Sequence, residues 1–215
     1  LILTIFTLRV IATLGFLALT QVPAWGQEEA PFELRADEHG VKVYTRPESN
    51  DDMSVRVTTT ADAKVSDVLA VLDGAPAYPE WVHRCREAYV LPGGSSDQYT
   101  YYSRVRMPFP FQDREVVAAI TQNIDSGTGV LARYISATPE ALPPTKGCVR
   151  MDTYEAIWIV TPTSEGVDIS CTVRTSAGSG LPAWLRREIM TGGPVKTVRN
   201  LVARLEGLSL RGAHH

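Results

Sequence analysis

The 215-residue chain has little cysteine, little histidine and almost no excess charge of one sign. Its three cysteines lie far apart without a Cys-x-x-Cys pair, and two of the four histidines stand at the extreme C-terminus. No zinc or iron–sulfur spacing can therefore be written. Lysine and arginine number 21 against 24 aspartates and glutamates, a net charge of −3. Because the chain has no global basic field, nucleic-acid binding is not expected. Because it lacks the ligand spacing, metal chemistry is not expected either.

One glycine-rich segment imitates a nucleotide-binding fingerprint. Residues 127–132 (GTGVLA) fit the G-x-G-x-x-A pattern, but that pattern needs a helix to follow it so that its N-terminus can hold a phosphate. Here β-branched and aromatic residues follow instead. Because Asp125, Ser126 and Gly127 are typical turn residues, the segment is predicted to be a hairpin turn.

Catalytic arrangements are also missing. The chain contains no G-x-S-x-G nucleophile elbow. His83 is close to Cys85, but two residues apart on one chain is poor geometry for a base that must meet a thiolate, so a surface histidine is favoured. Arg114 stands between Asp113 and Glu115 and is interpreted as part of a structural ion pair.

The N-terminal segment has the pattern of an export signal. An apolar run over residues 10–19 follows Arg9, and Ala24-Trp25-Gly26 precedes a charged stretch. Residues 1–26 are therefore predicted to be a signal peptide cleaved near Gly26, which places the protein in the periplasm. The alternative is an uncleaved inner-membrane anchor, although the span is short and interrupted by polar residues. In an oxidising compartment, an odd number of cysteines leaves at least one thiol unpaired.

Residues 27–215 contain no linker or repeat and are predicted to form a single domain. Alternating residues over 41–46 and 53–60 predict a hairpin, with a helix over 64–72 after it. Further strands are predicted at the following residues: 99–107, 115–120, 130–137, 149–160 and 167–173. In the first of these strands, alternation puts Tyr99, Tyr101, Ser103, Val105 and Met107 on one largely apolar face.

The C-terminal segment supplies a cover for these one-faced strands. Apolar residues recur at intervals of three and four over 181–208, which predicts an amphipathic helix of about 25 residues. Gly192-Gly193-Pro194 predicts a break or kink in it. The expected fold class is α+β, a curved antiparallel sheet wrapped around a long C-terminal helix.

Five segments in order resemble the START lipid-transfer family. They are 41–46 (VKVYTR), 78–81 (YPEW), 108–115 (PFPFQDRE), 147–151 (GCVRM) and 180–185 (GLPAWL). The third is similar to the proline and Arg-Asp signature of that family, with Glu115 in place of the usual aspartate. The resemblance spans residues 32–208 and implies a helix-grip fold that encloses one apolar cavity for a single lipid or sterol, with no cofactor.

The resemblance also implies which residues face the ligand. The predicted cavity residues are Tyr101, Ser103, Val105, Met107, Val116, Tyr154, Ala156, Trp158, Ile169, Cys171, Leu185 and Ile189. In the phosphatidylcholine-binding branch, aromatic residues cage the quaternary ammonium of the ligand. By the resemblance, two of the positions that hold those aromatic residues correspond here to Ser103 and Val116, which are not aromatic. A less polar ligand such as a sterol or fatty acyl chain is therefore favoured. The alternative is a solid core at the same positions.

The leading function is non-enzymatic binding and transfer of a hydrophobic molecule by a monomer in the bacterial cell envelope. One alternative is a helix-grip enzyme, for which Tyr101, Asp152 and Tyr154 are the titratable candidates. Another alternative is a sensor of ligand occupancy.

The C-terminal helix also carries a positive charge. Residues 181–215 have a net charge of +4 against −7 for residues 1–180. Cations on the outer face of an amphipathic helix gain energy at an anionic bilayer, so Arg187, Lys196 and Arg199 are predicted to touch membranes transiently. An ordinary solvated helix face is the alternative.

Overall fold

The computed structural model describes residues 30–48, 53–176 and 180–212, with side chains described up to residue 207. The predicted signal peptide, residues 1–26, lies outside these described residues. Within them, no helix is both long enough and apolar enough to span a bilayer.

Ten strands form one open, curved sheet in the described part of the chain. The strands are β1 (Glu33–Glu38), β2 (Val41–Pro47), β3 (Met53–Ala61), β4 (Cys85–Val90), β5 (Gln98–Val105), β6 (Asp113–Ile124), β7 (Leu131–Ala137), β8 (Cys148–Arg150), β9 (Tyr154–Thr163) and β10 (Gly166–Thr175). Their order is β1-β2-β3-β10-β9-β7-β6-β5-β4, all antiparallel, while the short β8 pairs in parallel with β6. The strands β1 and β4 therefore form the two edges.

The strand predictions from alternation are confirmed at the centre of the sheet. In β10, Val167, Ile169, Cys171 and Val173 are all buried on one face. The predicted hairpin is the antiparallel pair β2 and β3, and the glycine-rich segment is the turn between β6 and β7. There Asp125 accepts hydrogen bonds from the backbone of Gly127 and Thr128.

Two features of the sheet differ from the prediction. The strand β1 was not predicted, because Leu34 and Ala36 are its only apolar residues and its side chains are mostly exposed. The single strand expected over 149–160 is divided into β8 and β9. The division arises because β8 turns aside to pair with β6, and the Met151 N–H donates to the Glu115 carbonyl at 2.9 Å.

The helices lie on the concave, apolar face of the sheet. The short helices α1 (Val65–Asp73) and α2 (Tyr78–Trp81) connect β3 to β4, and the C-terminal segment comprises α3 (Ala183–Arg187), a π-helical turn (Glu188–Gly192) and α4 (Gly193–Gly212). In α4, Val198, Leu201 and Leu205 are fully buried in the main core. The helix therefore grips the sheet along its apolar stripe.

The expected break at Gly192-Gly193-Pro194 takes the form of a wide turn. Pro194 has no backbone N–H, and its ring would clash with the carbonyl four residues earlier in a regular α-helix. The π-helical turn just before it changes the hydrogen-bond register, so the helix continues without a gap.

Candidate ligand cavity

A cavity of about 160 Å³ lies between the sheet, α2 and the start of the C-terminal helix. Its wall is mostly apolar and aromatic, with Trp81, Val105, Met107 and Trp158 among the lining residues. A dry cavity of about 150 Å³ can hold a molecule of the size of benzene. The cavity therefore has room for a ring or a short chain, and a larger ligand requires its wall to move.

Most of the side chains predicted from the sequence to face a ligand lie on this wall. They come from β5 and the connection after it, and from β6, β9, β10 and the π-helical turn. They are Tyr101, Ser103, Val105, Met107, Val116, Tyr154, Trp158, Cys171 and Ile189. The alternation predicted for β5 thus places its inward face on the cavity.

The other three predicted residues lie off the wall. Ala156 shares a face of β9 with Tyr154 and Trp158, but its methyl group is too short to reach past these neighbours. Ile169 is buried in the main core, two residues before Cys171 in β10. Leu185 belongs to a second core cluster with Met107 and Met190, so it packs beneath α3 and does not line the cavity.

The sequence interpretation missed a set of polar and charged side chains on the wall. They are His83, Arg84, Arg114, Arg133, Thr175, Glu188 and Thr197. For two of them a signal was present. Strand alternation puts Arg114 on the same face as Val116, and Arg133 on the same face as Ile135.

At one end of the cavity, Arg133 is fully buried and well partnered. Its Nη1 atom lies 2.6 Å from Asp73 Oδ1. Its other acceptors are Gln122 Oε1, the Leu72 carbonyl oxygen and the hydroxyl groups of Tyr78 and Tyr99. Burial acts to lower the pKa of Arg133, but these neighbours outweigh it and the pKa is raised. This arginine therefore stays charged and fixed in place.

At the other end, Arg114 is nearly as buried, at 5% exposure, but is not in an ion pair with any described residue. The expectation of a structural ion pair is wrong, because adjacent residues of a strand point to opposite faces. Asp113 binds Arg86 and Arg104, and Glu115 binds Arg150, all on the outer side.

The Arg114 guanidinium itself has little to bind. Its only hydrogen bond to a described residue runs from Nη1 to the Gln112 carbonyl at 3.0 Å, and its Nε–H is buried without an acceptor. Desolvation by burial lowers the pKa of Arg114, since no carboxylate opposes that effect.

Two tyrosines in the middle of the cavity were candidates for acid or base catalysis. Burial raises the pKa of Tyr101 well above its ordinary value and that of Tyr154 to about 12. Both hydroxyl groups therefore stay neutral at pH 7 and cannot act as bases from the ionised form. The third candidate, Asp152, is exposed and is not on the cavity wall.

The mouth of the cavity lies between the loop after α2 and the π-helical turn. His83 Nε2 and Glu188 Oε1 are 3.1 Å apart, and Lys196 Nζ donates to the same Glu188 oxygen at 2.6 Å. The His83 backbone N–H also donates to Thr197 Oγ1 at 3.2 Å. These contacts hold the helix against the loop, and they lie at the surface where opening would begin.

The three cysteines, all within the described residues, are free thiols. Cys171 faces the cavity, and burial raises its thiol pKa. No group of three or more His, Cys, Asp or Glu side chains in the described ranges could hold a metal ion.

This arrangement of sheet, gripping helix and internal cavity can be compared with known proteins. The family model of the START domain matches residues 16–211. The chain belongs to the START family. Members of this family bind and transfer lipids and other hydrophobic ligands. The helix-grip architecture expected from the sequence is confirmed.

Individual proteins are similar to the chain over most of its length. An uncharacterized protein of Pseudomonas aeruginosa is 29% identical over 177 residues, which cover 81% of this chain and 87% of that protein. The crystal structure of a STAR-related lipid transfer protein fragment from Xanthomonas axonopodis superposes with a TM-score of 0.74 at 26% identity, covering 81% of this chain and 98% of that one. Human StAR-related lipid transfer protein 5 shares the fold, with a TM-score of 0.75 at 12% identity and 85% and 90% coverage.

Proposed function

We propose that this START protein binds a hydrophobic molecule in its cavity and carries it through the cell envelope without chemically altering it. The mainly apolar cavity between sheet and helix is the observation that carries the proposal. The similarity to a lipid transfer protein of Xanthomonas supports it. The export pattern of residues 1–26 supports the location in the envelope.

Apolar burial alone can supply the affinity. A ligand that removes about ten methylene groups from water gains on the order of 8 kcal/mol. Because the cavity holds only about 160 Å³, a long chain requires the helix and the loop at the mouth to separate. The π-helical turn and Gly193 lie at this place, where the helix can bend at low energetic cost.

Native mass spectrometry of the mature protein extracted from its own envelope tests the proposal. We expect a co-purifying, chemically unmodified lipid of one or a few masses, and a polypeptide mass that begins near Gln27. An empty protein that takes up no added amphiphile would contradict carrying. Product formation from an added substrate would favour the enzyme, and retention of residues 1–26 would favour the anchor.

The surface next to the mouth has features that suit contact with a membrane. Phe109 is 98% exposed in the loop between β5 and β6, and Trp184 is 60% exposed on α3. Phe111 of that loop packs against the core cluster that contains Leu185 of α3, so the loop and α3 are neighbours. Exposed aromatic side chains beside cations favour the bilayer interface.

The cations predicted to touch membranes differ in their availability. Lys196 is bound to Glu188 at 2.6 Å, and Arg199 lies 3.5 Å from Glu38. Arg187 on α3 is exposed and has no carboxylate within 4.0 Å among the described residues. We therefore propose that Phe109, Trp184 and Arg187 meet the bilayer first.

Transfer between vesicles measures this contact. We expect the rate to rise with anionic lipid content and fall with salt, and Trp184→Ala and Arg187→Glu to slow transfer severalfold without weakening equilibrium binding. Arg199→Glu is the matched control, with a smaller expected effect. Rates indifferent to salt and to all three substitutions would contradict the membrane contact.

A further inference from the structure

We propose that the ligand is a single-chain amphiphile with an acidic head, a carboxylate or a phosphate monoester, and that Arg114 binds this head inside the cavity. The inference rests on the proposed function, since it assigns the ligand class of the same cavity. It also revises the expectation of a ligand without an ionic head, which had been drawn from the missing aromatic cage.

The first observation is the unmet charge of Arg114. A buried cation without a partner is strongly unfavourable, and such groups in proteins are usually paired or bound to an ion. Arg114 is 5% exposed, lines the cavity and makes one hydrogen bond, to the Gln112 carbonyl, among described residues. Its planar fork can donate two parallel hydrogen bonds to a carboxylate or a phosphate.

The second observation is that, in the described part of the chain, the buried polar atoms without a partner on the cavity wall are hydrogen-bond donors. On the cavity wall they are Trp81 Nε1, Arg114 Nε and Arg133 Nε, all N–H donors in the described residues. Such a wall favours a ligand that supplies acceptors, above all at Arg114, whose guanidinium has the fewest partners among the residues described. The acidic side chain on the wall, Glu188, already binds Lys196 and His83, so its charge is met elsewhere.

The register of the sheet gives the ligand a direction. Arg114 pairs with Val105 at the start of β6, whereas Gln122, eight residues later, pairs with Arg133 at its far end. At about 3.3 Å per residue the two positions are about 26 Å apart along the strand. The head therefore lies beside Val105 and Met107, and the chain points toward the apolar and aromatic side chains in the middle of the cavity.

The test compares ligands that differ only in the head. Dodecanoate, dodecyl phosphate and methyl dodecanoate are titrated into delipidated protein by calorimetry at constant ionic strength. For the wild-type protein we expect one or both acids to bind at least about tenfold more tightly than the ester, as a desolvated charge-assisted contact requires. The stronger acid identifies carboxylate or phosphate as the head.

Arg114→Met is expected to remove the preference for the acid while retaining binding of the ester, which shows that the cavity is intact. Arg114→Lys keeps the charge without the fork and should retain only part of the preference. Arg106→Met, at an exposed arginine near the same end of the sheet, is the matched control and should change nothing.

The outcomes separate the two proposals. Equal binding of acid and ester by the wild-type protein, or a preference that survives in Arg114→Met, overturns the acidic-head inference while ligand carrying stands. Failure of all three ligands to bind the wild-type protein contradicts the proposed function itself. If Arg114→Met does not fold, an undiminished preference in Arg114→Lys still counts against recognition by the guanidinium fork.

Discussion

Two buried arginines lie on one cavity wall, Arg114 at the start of β6 and Arg133 on β7 beside the far end of β6, and their surroundings differ. Arg133 has a carboxylate, an amide, a carbonyl and two hydroxyl groups around it. Arg114 has one backbone carbonyl among the described residues. A buried charge that the protein satisfies from its own side chains makes the fold depend on each of those partners, whereas one left without a partner is available to a ligand.

The largest expected effect on stability comes from removing a partner of Arg133. Asp73→Asn removes the carboxylate beside Arg133, and loss of one member of a buried ion pair is strongly destabilising. Because the Asp73 side chain is 37% exposed, we expect a loss of about 2 to 3 kcal/mol in the free energy of unfolding. Urea denaturation measures it.

An exposed ion pair provides the control for this substitution. Glu155→Gln breaks the contact of Glu155 with Arg174 at 3.3 Å, in which both side chains are exposed. A surface pair of this kind contributes less than about 1 kcal/mol. If the two substitutions cost the same, the network at Arg133 is not a principal support of the fold.

Two enlarging substitutions on one face of β6 compare the hollow part of the interior with its packed core. Val116 lines the cavity, whereas Ala118, two residues nearer to Arg133, is fully buried in the core. We expect Val116→Phe to reduce ligand load at a cost below about 1 kcal/mol, and Ala118→Leu to cost about 1 to 3 kcal/mol by overpacking. Thermal melting and native mass spectrometry check both.

Equal destabilisation by the two enlargements would mean that the interior is solid at Val116. The carrier proposal would then lose its physical basis. Ser103→Trp tests the same point from β5, because Ser103 pairs with Val116 across the two strands.

A substitution of Arg114 is expected to have a smaller effect, of opposite sign, on the stability of the ligand-free protein. Arg114→Met replaces an unpaired buried cation with an apolar side chain of similar length, so the free energy of unfolding should stay constant or rise by up to about 1 kcal/mol. Delipidated protein must be used, since bound ligand adds its own stabilisation. A loss of several kcal/mol would show that Arg114 supports the fold.

The smallest expected effect concerns the pH dependence of the contacts at the mouth of the cavity. Burial and then the Lys196 charge lower the pKa of His83 from 6.5, and the hydrogen bond from Lys196 lowers that of Glu188 from 4.5. A lowered folded-state pKa gives stability that is present above the unfolded value and lost as the pH falls. The neighbouring cation Arg84 acts in the same direction on His83.

We therefore expect ligand release to accelerate a few-fold as the pH falls from 7.5 to 5.5, which stopped-flow fluorescence can follow. His83→Gln should make the release rate less dependent on pH, because it removes the group that is protonated first as the pH falls. A release rate independent of pH in the wild-type protein would show that the contacts at the mouth do not limit opening.

How far the sequence could predict this molecule depends on the kind of signal at each place. Alternation in β5 placed Tyr101, Ser103 and Val105 on the cavity wall, because a one-faced strand shows its pattern locally. The same rule applied to β6 would have turned Arg114 inward. The adjacency of Asp113 and Glu115 in the sequence favours an ion pair with Arg114 instead, although the partners of these two carboxylates, Arg86 and Arg150, are distant in sequence.

Other features had no local signal. The pairing of β1 with β2 depends on backbone hydrogen bonds and not on an apolar face. The acceptors of Arg133 come from α1, α2, β5 and β6, so only the folded chain shows that this arginine is satisfied. Ala156, Ile169 and Leu185 were expected on the wall because residue type alone cannot distinguish a cavity from a core.

The strand order also has a consequence for the time at which the protein can fold. The strands β1 to β3 join the rest of the sheet through β10, where Val57 pairs with Cys171, more than a hundred residues later. Contacts between residues so distant slow folding toward the millisecond-to-second range. The sheet cannot be completed until residues 166–175 have left the ribosome. We expect β1 to β3 to stay detached from the other strands until then, so the cavity, which β10 helps to line, forms only near the end of synthesis.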